Sequence, residues 1–580
     1  MIDRYSDNKM AQKCIKYSVL SLICVMGLSN VFSVTAVLLF VSAFFFFRYV
    51  DSHVKNSRYC IIISLFFALI LVICESFRDY NGLDAFKVAD KVDIIWYITG
   101  CWIAIYYLLR FIMHIINICV TSKPVPLLRF AVEHPVMVSF LTIIAFWSPS
   151  LIINYPGTFN PDSFYQMQQY FGEFERSTQQ PFFSTFLMGT CISVGDFFID
   201  RNFGVFLYVL LQSVLGALVF AECIKWLHDI GCTTIGCIAV LCFYSAIPFW
   251  GRYAQWFEKD FLFSVMITLF SLLIAKSMHD KKISGKRACL IFIVAVLCAL
   301  LRNNGIYVVL PTLVGCVVCM HKSDKRKALE VAVGVGVCFF LIQNIAISAG
   351  HLKTGYKQEM LSIPFQQTAR YVVAYPDDVT NEEKRIIDSV IDYDAIIANY
   401  SPETSDPIKN TYRWPKEKCL KEYYVVWAKM FFKHPGVYIS SFVNMNYGFL
   451  APVELNGESS YTFKSEWETS HGIYKIFPEK IITCWDKFIL TLITKTPILS
   501  WFCAPGLYTW IVGFLIIPTL KSKKQSLIVL MIPYVLSILI CLASPLAISM
   551  RYMLPVVASL PILIGMFIKE NRSFFELEIL

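Results

Sequence analysis

Apolar stretches of about 20 residues recur along this chain, among them YCIIISLFFALILVICESF at 59–77 and PVMVSFLTIIAFWSPSLII at 135–153. A run of that length is what an α-helix needs to cross the roughly 30 Å hydrocarbon core of a bilayer. In lipid every backbone polar group must be satisfied within the segment, so repeated runs of this kind specify helices and exclude an open sheet. The rest of the composition agrees: 57% of the 580 residues are hydrophobic and mean hydropathy is +0.58, outside the range of soluble domains. The pattern predicts an all-α, polytopic membrane protein.

Spans are expected near 15–31, 33–50, 58–77, 93–119, 134–153, 203–227, 231–249, 260–277, 287–301, 304–320, 328–349, 499–520, 526–543 and 550–568, about fourteen in all. The 15–50 run reads either as a hairpin broken at Ser29-Asn30 or as one tilted helix. Four regions follow: N-terminal spans at 1–133, a core at 134–349 containing a long loop at 154–202, a mainly helical segment at 350–498, and C-terminal spans at 499–580.

Basic residues fix the expected sidedness. The N-terminus (Arg4, Lys9, Lys13, Lys16) and the loops RYVDSHVKNSR, KSMHDKKISGKR, HKSDKRK and KSKK fall on one side of a fourteen-span topology. Lys and Arg accumulate in cytoplasmic loops, so both termini are expected inside. The net charge of +9 is accounted for by these loops, and no nucleic-acid-binding pattern accompanies it. Most of the 20 cysteines lie within apolar runs, where they act as small hydrophobes, and they lack paired metal-ligand spacing. The N-terminus reads as an uncleaved anchor, since no small-residue cleavage site follows the first span.

The opposite, extracytoplasmic side collects the unusual residues. In NYPGTFNPDSFYQMQQY, Pro156-Gly157 and Asn160-Pro161 form turns that hold Asp162 in a fixed loop. That carboxylate is suited to accept a proton from a hydroxyl, bind a metal, or cap the helix that follows. Tyr155, Ser163, Gln166 and Gln169 are side chains of the kind that line polar ligand sites. In FWGRYAQWFEKD a second acid, Asp260, sits beside Lys259 at the start of a span, where the pair also reads as interfacial charge. Arg302 in LLRNNGIY and Arg551 in SMRYMLP lie at outer span ends, suited to grip a phosphate bidentately or to snorkel to lipid headgroups. Trp250, Tyr253, Trp256 and Trp501 read as an aromatic belt or as sugar-stacking platforms, and His434 as structural. Amphipathic helices are expected in 154–202 and a helix from Pro435.

These segments, NYPGTFNPDSFYQ, QQPFFSTFL, EKDFLF, LRNNGIY, LSIPFQQTARYV, YSPETSDPIK, HPGVYISSFVN, APGLYTW and SPLAISMRYMLP, occur in order over about residues 150–560. As a set the arrangement resembles the GT-C glycosyltransferases, and is more closely similar to an uncharacterised bacterial branch grouped with them. The resemblance implies a GT-C-like helix bundle that transfers a sugar, with inversion, from a polyprenyl-phosphate carrier to a cell-envelope acceptor on the outer face. It implies Asp162 as the base, Asp260 as a second catalytic acid, and Arg302, Arg551 and Lys259 on the donor phosphate. Tyr155, Gln166, Gln169 and Gln366 are then expected to bind substrate. GT-C first loops often carry two adjacent acids, whereas Ser163 follows Asp162 here; the resemblance therefore leaves a divalent metal open. The expected partners are the lipid-linked donor, an envelope glycan and membrane lipids. Two alternatives compete: a lipid-linked polysaccharide flippase, which would line the bilayer middle with charge and show repeats, and an outer-face polysaccharide ligase or polymerase.

Overall fold

The computed structural model describes residues 2–28, 36–84, 86, 91–121, 134–354, 357–453, 466–496 and 499–571. Among the described residues the chain is built of helices, with four isolated bridges and no strand. A helix falls on each expected span, with a bent pair on 231–249 and the two helices Leu499–Phe502 and Pro505–Ser522 on 499–520. Among the described residues nine helices are long and apolar enough to cross a membrane, ten if Thr234–Ala246 and Pro248–Ala254 form one span bent by 51°. The expected count of fourteen is not reproduced by that measure. Gly285–Leu301 and Gly305–Cys319 have 17 and 15 residues, and at 1.5 Å per residue they extend only roughly 25 and 22 Å. The break expected at Ser29-Asn30 lies outside the described residues, flanked by helices Ile2–Leu28 and Ala36–His53.

The chain forms two compact units. One comprises Met1–Ser122, Pro364–Val453 and Asn571–Leu580. In it Arg58–Tyr80 packs on Lys91–Thr121 and receives the short helices Pro435–Asn444 and Tyr447–Leu450. Buried Asn444 donates from Nδ2 to the Asn81 carbonyl at 2.9 Å, holding that return in place. Pro435 opens its helix at the first turn, where no amide hydrogen is needed. His434 stacks on Tyr375 with 3.9 Å between ring centroids, its Nε2 3.4 Å from Asp378 Oδ2. The 350–498 segment contributes to both units.

The second unit comprises Lys123–Ile363 and Glu454–Glu570. At its centre is Lys259–Asp280, with 89% of its apolar window buried within the protein. Met550–Glu570, Gly285–Leu301 and Arg201–Asp229 pack around it. Met550–Glu570 contains Pro555 and Pro561, and beside them the Tyr244 and Tyr534 hydroxyls donate to the Ala558 and Ser559 carbonyls at 2.6 and 2.7 Å. Such side chains satisfy backbone groups near a proline that removes a helical donor. Phe182–Phe198 presses against Arg201–Asp229 at Gly204, where an added Cβ would lie 2.6 Å from the Ile192 backbone. Trp250, Tyr253 and Trp256 are buried rather than arranged as an exposed belt, while Trp501 is exposed.

Candidate active site

The turn after Pro135–Ile153 is where the site begins. Gly157 has φ +148°, and a Cβ there would meet Val209 Cγ2 at 2.8 Å, so only glycine passes. Thr158 then pairs with Trp256: its amide donates to the Gln255 carbonyl at 3.2 Å, and Phe257 N donates to Thr158 O at 2.9 Å. This bridge ties the first outer loop to the stretch preceding Lys259–Asp280. Gln212 Nε2 fastens that stretch from below, donating to the Ala254 and Trp256 carbonyls at 2.9 and 2.6 Å.

Asn160 caps the helix Pro161–Phe171, its Oδ1 accepting from Ser163 N at 2.8 Å. Asp162 is therefore not the cap. It stands in the first turn, and its carboxylate points at cations from two distant segments. Asp162 Oδ2 lies 3.2 Å from Arg551 Nη1 and 3.6 Å from Lys259 Nζ. Gln180 Nε2 donates to Oδ1 at 3.3 Å. Arg551 also reaches Asp260 Oδ2 at 3.3 Å and Glu258 Oε2 at 3.5 Å. Arg302 Nε lies 3.5 Å from Asp260 Oδ1. Tyr552 lies under both guanidinium groups, its ring centroid 4.8 Å from that of Arg302 and 5.1 Å from that of Arg551.

Three acids and three cations thus share one cluster, but they are not equally open. Side-chain exposure is 34% for Asp162 against 2% for Glu258 and Asp260. Arg302 and Arg551 keep 17% and 18%, and Lys259 7%. A ligand arriving from solvent meets Asp162 and the two arginines first. Burial works against ionisation of Asp162, but Lys259, Arg551 and Arg302 outweigh it and hold the carboxyl well below the usual carboxylate range. Glu258 is shifted the other way. Burial and the neighbouring Asp260 charge push it up to about 8, against the pull of Arg551 and Lys259.

Five of the expected site residues, Asp162, Lys259, Asp260, Arg302 and Arg551, converge here. Four do not. Gln166 Nε2 donates to Ser184 and Thr185, each at 2.9 Å, and Gln169 bonds Ser177; both tie Pro161–Phe171 to its neighbour. Tyr155 packs on Phe206 with 5.0 Å between ring centroids. Gln366 belongs to the other unit, where it is buried and bonds the Ser401 carbonyl. Glu258, Asn160 and Gln180 are additions. Glu258 was visible as the first of three consecutive charges, Glu258-Lys259-Asp260, opening an apolar span.

Among the described residues no group of three or more His, Cys, Asp or Glu side chains is placed to hold a metal ion. The site's carboxylates are already engaged by three cations, a donor set that does not fit a resident divalent ion. Residues 175–576 match the profile of DUF6020, a family of unknown function. The chain belongs to this family. The match includes Glu258, Lys259, Asp260, Arg302 and Arg551, while Asp162 lies before its first residue. No curated protein and no solved structure matches the chain.

Proposed function

We propose that this DUF6020 protein is a membrane glycosyltransferase that uses a polyprenyl-phosphate-linked sugar and transfers the sugar, with inversion, to an envelope hydroxyl on the extracytoplasmic face. The observation that carries the reading is the cluster of Asp162, Lys259, Arg302 and Arg551, in which one accessible carboxylate faces three cations. Breaking the sugar–phosphate bond develops negative charge on the leaving phosphate oxygen, and fixed cations in a poorly hydrated site stabilise it. Arg551 and Arg302, held over Tyr552, offer planar forks that fit phosphate oxygens. Asp162 then takes the proton from the attacking hydroxyl as the oxygen bonds to the anomeric carbon and the phosphate leaves with the bonding electron pair.

A carboxylate gripped by Arg551 and Lys259 is a weak base. A donor phosphate competes for those same cations, and as their attraction turns to it, the proton affinity of Asp162 rises. Base strength is thereby coupled to donor binding, which limits idle chemistry in the empty site. The charges gather at one end of Lys259–Asp280 and Met550–Glu570 rather than along their length, an arrangement that favours surface chemistry over a translocation path.

The test is transfer from a synthetic polyprenyl-phosphate sugar to envelope glycan. Asp162→Asn keeps the size of the side chain and removes the base, so turnover falls by about 10²-fold or more with donor binding kept. Near-normal turnover in a folded Asp162→Asn protein removes Asp162 as the base.

A further inference from the structure

The three acids and three cations of the cluster cancel when all are ionised, which leaves no net charge to attract an anion. We propose that Glu258 sets the charge that the site accepts: a protonated Glu258 leaves the cluster with one net positive charge, matched to a phosphodiester bearing one negative charge. This rests on the glycosyltransferase reading and deepens it by naming the residue through which the site distinguishes the single negative charge of that donor from the two of a diphosphate.

The geometry supplies the argument. Glu258 is 2% exposed, and among the described residues its ion-pair partner is Arg551, 3.5 Å away and shared with Asp162 at 3.2 Å and Asp260 at 3.3 Å. The groups facing it are Arg551 from Met550–Glu570, Lys259 and Asp260 from the first turn of the helix that follows it, and Asp162 from Pro161–Phe171. Asn160 Nδ2 donates to Oε2, and Tyr208 donates to the Glu258 carbonyl at 2.8 Å, so the residue is fixed in place. Oε1 has no hydrogen-bond partner among the described residues. A phosphate that draws Arg551 toward itself removes Glu258's counter-charge and adds an anion nearby. Both changes favour a proton on Glu258, which sits on the free Oε1, where it is available for donation. The proton comes from solvent. Its position near neutrality, with burial and Asp260 raising it to about 8, places the exchange within reach of experiment.

The sign follows from linkage. A bound anion raises the proton affinity of Glu258 further, so donor affinity is complete below about pH 8 and declines as pH rises past that value. The limiting slope is about tenfold per pH unit for one coupled proton. The experiment is calorimetric titration of the full chain in nanodiscs with a short-chain prenyl-phosphoglucose, in two buffers of different ionisation enthalpy, from about pH 7 to 9.5. The matching prenyl-diphosphoglucose is titrated alongside. We expect net proton uptake that approaches one per site above about pH 8, and at least tenfold weaker binding of the diphosphate. Glu258→Gln, a neutral isostere of the protonated acid, is expected to bind without proton uptake and with affinity independent of pH. Glu258→Asp should restore the titration. Should the variants fail to fold, proton counting on the wild type still decides. Binding of both donors with equal affinity and no proton uptake overturns the charge-matching role of Glu258 and leaves the transferase reading standing. Binding of neither donor overturns both.

Discussion

Arg551 has oxygens of three different carboxylates within 3.5 Å: Asp162, Glu258 and Asp260. The sequence showed it only as an unexpected cation at the outer end of a span, equally suited to a lipid headgroup. Its substitutions should now separate by geometry. A lysine at 551 presents one point charge and cannot serve Asp162 and Asp260 at once, so Arg551→Lys should retain a fraction of donor use. Arg551→Ala leaves two acids at 2% exposure short of a counter-charge, so it should lower the melting temperature as well as donor use. Among the described residues Arg302 forms an ion pair with a single acid, Asp260, and Arg302→Ala should weaken donor binding with a smaller loss of stability. Paired melting and donor-titration curves check this; equal melting temperatures for Arg551→Ala and wild type would show that the buried acids do not depend on it. The pH behaviour of Asp162 follows from the same cations. Its carboxyl is lowered in the folded protein, so its stabilising contribution is present above the ordinary value of about 4 and lost only as pH falls through the lower folded value. The free protein therefore keeps Asp162 ionised below about pH 4, and in the proposed reaction kcat/KM should show no acid limb from Asp162 above that. In the donor complex the phosphate competes for Arg551 and Lys259, so the acid limb of kcat should appear at higher pH than that of kcat/KM. Coincident limbs would show that donor binding does not reach Asp162.

At the scale of elements, the helix Pro161–Phe171 carries the proposed base, and its first turn is set by Asn160 rather than by Asp162. The local sequence held both signals, since Asn-Pro is a common start with the cap at Asn and proline at the first helical position. What it did not hold was direction: whether Asp162 turned back to cap or outward to Lys259 depended on residues nearly a hundred positions away. Glu258 was missed for a related reason. Three charges in a row, Glu258-Lys259-Asp260, give no indication of which are buried, and the answer lies in Asn160 and Arg551. Gln166 and Gln169 lie apart from the cluster for the same kind of reason, since their amide nitrogens bond Ser184, Thr185 and Ser177, partners that the local pattern does not name. Asn160 tests the element. Asn160→Ala loses the cap and the donor to Glu258, and should cost about 1 kcal/mol of stability. Asn160→Asp keeps the cap almost fully but brings a carboxylate against Glu258 Oε2. The added buried charge should cost stability as well, and donor affinity should fall further than in Asn160→Ala. A fall in donor affinity for Asn160→Ala alone, with Asn160→Asp unchanged, would mean that Asn160 acts only as a cap.

Over the whole molecule, hydrophobic run length was enough to place a helix at each expected span, because lipid leaves the backbone no other choice. It was not enough to decide which helices cross, since helices of 15 and 17 residues are as apolar as their longer neighbours. Convergence of the site was legible for a different reason. Asp162, Lys259, Arg302 and Arg551 all lie at helix ends that the basic loops assign to one side, and residues on one side of a bundle have a short distance to close. Gln366 shared that expected side and yet belongs to the other unit, so sidedness alone does not make a site. The assignment itself rests on Lys and Arg bias and is open to direct test. In a cysteine-poor variant, Ser284→Cys places a thiol at an exposed position between Lys259–Asp280 and Gly285–Leu301, and Glu382→Cys places one at an exposed position in Asn381–Asp388. A membrane-impermeant maleimide added to intact cells should label position 382 and spare 284, and permeabilisation should expose 284. The opposite pattern would put the Asp162 cluster on the cytoplasmic face, where a nucleotide-activated donor replaces the lipid-linked one. Labelling at both positions in intact cells would break the alternation of basic loops, and with it the sidedness on which the acceptor's location depends.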